Sequence, residues 1–226
     1  MLDFGLIANS LPKILDGLAL TLALTVSTLL LGAAAAVPIA LATRSRNRAL
    51  SWSAQAYILF FRGTPALVQI FLVYYGAGQL SFVRESWLWP VLREPYWCVV
   101  LALGLNSGAY VGKMLAGALA NLPHGPIEAA RALGLRRMQT LATIQAPLVL
   151  RAILPAYANE VILTLKATSL ASTVTLLELT GQARNLVSAT YAPYEIFLAV
   201  GAVYLALSLM IGRAFGWLER RLLIPR

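Results

Sequence analysis

From Gly17 to Thr43 the chain carries no charged residue. At about 1.5 Å of rise per helical residue, such a run outreaches the ~30 Å hydrocarbon layer of a bilayer. The remainder is built the same way. Of 226 residues, 59% are hydrophobic and 12% charged, whereas soluble domains carry about a quarter charged residues. Mean hydropathy is +0.74. These features predict an all-α, polytopic membrane protein forming a single domain over residues 1–226, with spans at about 18–43, 53–75, 96–120, 148–167 and 192–215. No separate soluble domain fits. Met1-Leu-Asp-Phe4 lacks the basic start of a cleavable signal peptide, so the first span is expected to stay in the mature chain.

Small residues predict how the spans pack. Gly32, Ala36 and Ala40 line one face of the first, and Gly104, Gly108 and Gly112 form two consecutive GxxxG steps in the third. Spacing of this kind lets helix backbones approach closely in lipid. The second span contains Arg62-Gly-Thr-Pro65, which weakens a helix and is tolerated where freed backbone groups face protein or a wet cavity. The Trp- and Tyr-rich segment Gly76–Tyr96 reads as a short interfacial helix. Thr168–Tyr194 reads as a polar connection.

Charge orients the bundle. Arg44, Arg46 and Arg48 follow the first span. Residues 121–147 and the start of the next span carry Arg131, Arg136, Arg137 and Arg151 against Glu128. The tail carries Arg213, Arg220, Arg221 and Arg226 against Glu219. With five spans these basic segments share one face, while the N-terminus and the aromatic loop, near neutral or acidic, share the other. The positive-inside rule then places the N-terminus outside and the C-terminus in the cytoplasm. The net charge of +9 is explained by this topology rather than by nucleic-acid binding.

The longest polar interruption is Pro126-Ile-Glu-Ala-Ala-Arg-Ala-Leu-Gly134. Gly125 is expected to cap a short helix that begins at Pro126, where a missing N–H costs nothing. Glu128 is expected in the first turn, favoured by the helix dipole, and Gly134 is a natural stop because it takes positive φ without strain. A second helix is expected from Arg136 to a break at Pro147.

No enzyme signature is present. Gly108-Ala-Tyr-Val-Gly112-Lys113-Met114 has the wrong spacing for a phosphate loop and lacks the hydroxyl residue after Lys, so the chain is expected not to bind ATP. The single His124 and single Cys98 do not make a metal site. Glu160 is the informative ionisable residue. It falls about 12 residues beyond Leu148, roughly 18 Å into the membrane. A carboxylate there costs about 2.5–3.5 kcal/mol, and it meets either a cation of the protein or one from a substrate. Lys166 is roughly 240° further around the helix, badly placed to pair with it, and is expected to snorkel outward. Arg62 is the other candidate partner.

Glu128-Ala129-Ala130, Gly134, Ile144 and Pro147, at their spacings, resemble the EAA loop of ABC importer permeases, with Ala146 where the family often has Leu. Arg62-Gly-Thr-Pro65-Ala-Leu-Val-Gln69, Leu105-Asn-Ser-Gly-Ala-Tyr110 and Asn159-Glu160…Lys166-Ala-Thr-Ser169 resemble signatures of the polar amino acid uptake permeases. The Gly76–Tyr96 insert and Ala189–Tyr194 are similar to the arginine, histidine/lysine and opine members. The resemblance implies the type I ABC importer permease fold with five core spans and a bacterial inner-membrane location. It implies a homologous, non-identical permease partner, two ATPase subunits that bind the ATP, and a periplasmic amino acid-binding protein. It implies ATPase coupling through Glu128, Ala129, Ala130, Arg131, Ala132, Leu133 and Gly134. It implies a midplane substrate site with Glu160, Asn106, Tyr110, Ser169, Thr64 and Gln69. Interhelical hydrogen bonding is the plainer role for the uncharged members of that set, worth about 0.6 kcal/mol each. Lys113 stands where many members have Glu or Gln, which bears on substrate choice. The expected cargo is a cationic amino acid or opine. The alternatives are a permease for neutral polar amino acids, a secondary transporter, or a membrane scaffold. No cofactor or metal is expected in this chain.

Overall fold

A computed structural model describes residues 3–222, and among these there is no strand. Met1 and Arg226, which entered the signal-peptide and tail-charge readings, lie outside the described residues. The helices are α1 (Phe4–Asp16), α2 (Leu18–Thr43), α3 (Arg48–Gly63), α4 (Ala66–Ala77), α5 (Ser81–Arg84), α6 (Trp89–Leu92) and α7 (Pro95–Ala120). After these come α8 (His124–Ala132), α9 (Arg137–Thr140), α10 (Ala146–Ala167), α11 (Leu179–Thr190) and α12 (Pro193–Leu222). A π-turn at Leu141–Gln145 joins α9 to α10, and a 3₁₀ segment at Thr168–Val174 extends α10. Four continuous helical runs are long and apolar enough to cross a membrane: Leu18–Thr43, Pro95–Ala120, Arg137–Val174 and Pro193–Leu222.

The second expected span is not straight. α3 and α4 meet at 103°. Pro65 is the cause. It disfavours helical geometry in the residue before it, and Thr64 is extended at φ −115°, ψ 146°. The span at 53–75 is therefore a broken pair of helices. The Gly76–Tyr96 segment also differs from expectation. It forms two single-turn helices, α5 and α6, because Pro90 and Pro95 each restart the chain at a helix N-terminus.

α2 and α7 form the spine. The two small-residue faces meet each other. A Cβ on Gly108 would come within 2.9 Å of the Ala35 Cβ, and one on Gly32 within 3.0 Å of Ser107. The stripe on α2 is longer than Gly32, Ala36 and Ala40. Thr21, Thr25 and Thr28 continue it toward the N-terminus, all buried. Tyr96 adds a hydrogen bond between its hydroxyl and Ser27 Oγ at 2.7 Å. One apolar core joins Leu24 of α2, Ile70 of α4, Val99 and Leu103 of α7 and Val174 of the 3₁₀ segment.

A second core joins α1, α11 and α12 through Ile14, Leu179, Ala183, Leu186 and Ile196. The stretch expected as a polar connection thus holds a helix. Leu179, Ala183 and Leu186 recur at helical spacing and bury one face of α11. Glu178 starts that helix. Its carboxylate accepts from the Thr180 and Gly181 backbone N–H groups and from the Tyr204 hydroxyl of α12 at 2.9 Å. Burial pushes the Glu178 carboxyl above its ordinary value, and these three bonds oppose that rise. Leu22, Val26, Leu30 and Val37 of α2 and Leu198, Leu205 and Leu209 of α12 are exposed. Apolar side chains in such number face lipid or another subunit.

Candidate functional site

Glu160 is 5% exposed and lines a cavity of about 250 Å³ with Ala66, Leu103, Asn106, Ser107, Tyr110 and Thr164. Three elements supply it: the first residue of α4, the middle of α7 and the second half of α10. No cation among the described residues lies within 4.0 Å of the carboxylate. Among the described residues the one ion pair within 4.0 Å joins Arg93 to Glu94 in the aromatic loop. Lys166 is exposed and borders a different groove, in keeping with its angular offset on α10. Arg62 does not reach Glu160 either. Its guanidinium lies over the Tyr110 ring, 4.9 Å from the centroid.

The six residues expected at a substrate site divide. Glu160, Asn106 and Tyr110 share the cavity. Thr64 and Gln69 do not line it. They repair the break between α3 and α4. Gln69 Nε2 donates to the Phe61 carbonyl at 3.0 Å, to the Thr64 carbonyl at 3.1 Å and to Thr64 Oγ1 at 2.7 Å. Thr64 Oγ1 donates to the Phe60 carbonyl at 2.8 Å. A broken helix leaves carbonyls without partners, and in a bilayer no water replaces them. Asn106 serves both purposes: its Nδ2 donates to Phe61 O at 2.8 Å and to Gln69 Oε1 at 2.9 Å while its side chain edges the cavity.

Ser169 lies elsewhere. It borders the groove with Lys166, Tyr204 and Ser208, and its hydroxyl donates back to the Lys166 carbonyl at 2.7 Å. Ser169 follows Glu160 by nine residues, about 180° around a helix, so it stands on the opposite face from the carboxylate.

Two cavity residues were not singled out from the sequence. The hydroxyls of Ser107 and Thr164 lie close to the Glu160 carboxylate. The Ser107 hydroxyl is buried and not aligned for a well-formed hydrogen bond. Thr164 follows Glu160 by one helical turn, a spacing that flags it in hindsight. Ser107 carries no such mark beyond its place in Leu105–Tyr110.

The central loop departs from expectation in detail. α8 begins at His124 with Pro123 at the cap, two residues early. Pro126 still falls among the first-turn donors that have no intrahelical partner, so the shift costs nothing. Glu128 consequently sits beyond the first turn. Gly134 has φ +75°, as a helix stop requires. Glu128, Ala129, Arg131, Ala132, Leu133 and Gly134 are exposed, with Leu133 81% accessible, while Ala130 faces inward at 1%. Pro147 does not end the following helix. The π-turn just before it widens the winding, which accommodates the proline ring, and the helix runs on into α10.

The profile of the family described as binding-protein-dependent transport system inner membrane component matches residues 28–224. The chain belongs to this family. It is 44% identical over 213 residues to a nopaline transport system permease protein of Agrobacterium fabrum, covering 94% of this chain and 88% of the relative. It is 46% identical over 214 residues to an octopine transport system permease protein of Rhizobium meliloti, covering 92% and 87%. It is 38% identical over 214 residues to an arginine ABC transporter permease protein of Escherichia coli, covering 94% and 96%. Among solved structures, an amino acid ABC transporter crystallised with histidines superposes with TM-score 0.85 at 31% identity, covering 98% and 99% of the two chains. An inward-facing methionine ABC transporter superposes with TM-score 0.75 at 19% identity, a likeness of fold. The chain is thus an all-α permease subunit with the type I ABC importer fold. The permease is a multi-pass membrane protein and is not itself catalytic. Permeases of this family work with separate ATPase subunits and a binding protein.

Proposed function

We propose that this permease lines the path of a bacterial inner-membrane importer for amino acids with a cationic side chain, arginine and its opine derivatives foremost. Glu160 receives the guanidinium or ammonium group of the cargo. The observation that carries this reading is a carboxylate 5% exposed, facing a cavity, with no cation among the described residues within 4.0 Å of it. A buried charge in that state calls for a partner. Asn106, Tyr110, Ser107 and Thr164 shape the cavity around it. The names of the relatives that match nearly the whole chain, nopaline, octopine and arginine permeases, support the same substrate class.

The assembly pairs this subunit with a homologous, non-identical permease. Two ATPase subunits bind the ATP, and a periplasmic binding protein delivers the cargo. The N-terminus is outside and the C-terminus cytoplasmic. The exposed face of α8, ending at Gly134, takes the force of ATPase closure and passes it through α9 into α10, the helix that bears Glu160. The test is ATP-driven uptake of labelled arginine by the reconstituted importer carrying Glu160→Gln. Uptake should fall about 10-fold or more, because losing one member of a buried charge pair costs several kcal/mol. Undiminished uptake with unaltered selectivity removes Glu160 from the site.

A further inference from the structure

A second cavity, about 680 Å³, is lined by Trp52, Gln55, Ile58, Arg62, Gly63 and Lys113. Both cations on its wall are exposed, and neither has a carboxylate within 4.0 Å among the described residues. Arg62, on the wall of this cavity, stacks on Tyr110, which lines the cavity of Glu160. One face of α7 runs through both. Asn106, Tyr110 and Lys113 are spaced by four and three residues, which places them on a single helical stripe about 10 Å long. At one end of that stripe is an unneutralised carboxylate, at the other a pair of unneutralised cations.

We propose that the two cavities form one elongated, bipolar site that selects a guanidino amino acid bearing more than one carboxylate, with Lys113 and Arg62 receiving the carboxylates. The inference rests on the reading of Glu160 given above. A plain cationic amino acid presents one anionic group and leaves one cation of the pair without a partner. An N-carboxyalkyl derivative such as octopine supplies a carboxylate for each. Arg62 offers a planar fork suited to a carboxylate, and Lys113 a mobile point charge. The ring of Tyr110 under the Arg62 guanidinium fixes its direction without neutralising it.

The experiment is ligand-induced thermal stabilisation of the assembled importer in detergent, without its binding protein, titrated with octopine and with arginine. The wild type should bind octopine more tightly than arginine. Lys113→Gln should lower the octopine-to-arginine affinity ratio about 10-fold, and Lys113→Arg should largely retain it, since a charge-assisted bond is lost in the first and kept in the second. A ratio that Lys113→Gln leaves unchanged overturns the inference while arginine binding lost in Glu160→Gln keeps the reading beneath it. Stabilisation of the wild type by phosphatidylglycerol, lost in Lys113→Gln with the ratio unchanged, assigns the cations to a lipid headgroup and overturns it as well. An assembly stabilised by neither compound overturns both.

Discussion

Gly108 has neighbours that cannot give way. The nearest atom to an added Cβ is the Cβ of Ala35 at 2.9 Å, fixed directly to the α2 backbone, followed by the Gly32 carbonyl oxygen at 3.3 Å. Gly117, on the same helix, has nothing within 4 Å. Gly108→Ala should therefore destabilise the purified subunit by about 1–3 kcal/mol, the cost of overpacking. Gly117→Ala should be neutral or stabilising by up to about 1 kcal/mol, through helix propensity alone. Unfolding followed by tryptophan fluorescence in detergent separates the two. Equal shifts would mean that α2 and α7 are not packed backbone to backbone.

At the scale of the element, the break between α3 and α4 shows what can be read in a sequence and what cannot. Gly63-Thr64-Pro65 announces a weak point because proline acts on its immediate neighbour. The 103° angle is not local. It is held by Gln69, five residues on, and by Asn106 from another helix, both reaching the carbonyl of Phe61. Residues that look like ligands in sequence are thus partly fasteners. Gln69→Ala should cost about 1–3 kcal/mol per carbonyl left unsatisfied. Its signature is a lowered unfolding temperature, with the arginine-to-octopine preference of the assembled importer unchanged. A changed preference at unchanged stability would instead make Gln69 a ligand. The π-turn before Pro147 teaches the same lesson: proline predicts trouble at its own position, but the widening that lets the helix continue needs the whole turn.

At the scale of the molecule, topology and assembly are the open terms. α12 is 30 residues long, so at about 1.5 Å per residue it spans about 45 Å and extends beyond the ~30 Å hydrocarbon. Its exposed apolar face, like that of α2, is available to lipid or to the partner permease. The orientation follows from charge alone and is open to direct test. In a variant carrying Ala132→Cys, an impermeant maleimide should label inside-out vesicles and spare right-side-out ones. Cys98 is buried and gives little background. Labelling from the periplasmic side would remove α8 from the reach of any ATPase.

By itself the amino-acid sequence determined the class, the small faces of α2 and α7, the stop at Gly134 and the anomaly of Glu160. Each of these depends on hydropathy, residue size or backbone freedom over a few neighbouring positions. Only the tertiary structure decided that Ser107 of α7 stands beside Glu160 of α10, that Ala130 turns inward and that Lys113 joins Arg62. Those facts depend on how separate helices rotate about their axes as they pack. A rotation of one residue, about 100°, is enough to exchange a cavity wall for a lipid-facing side.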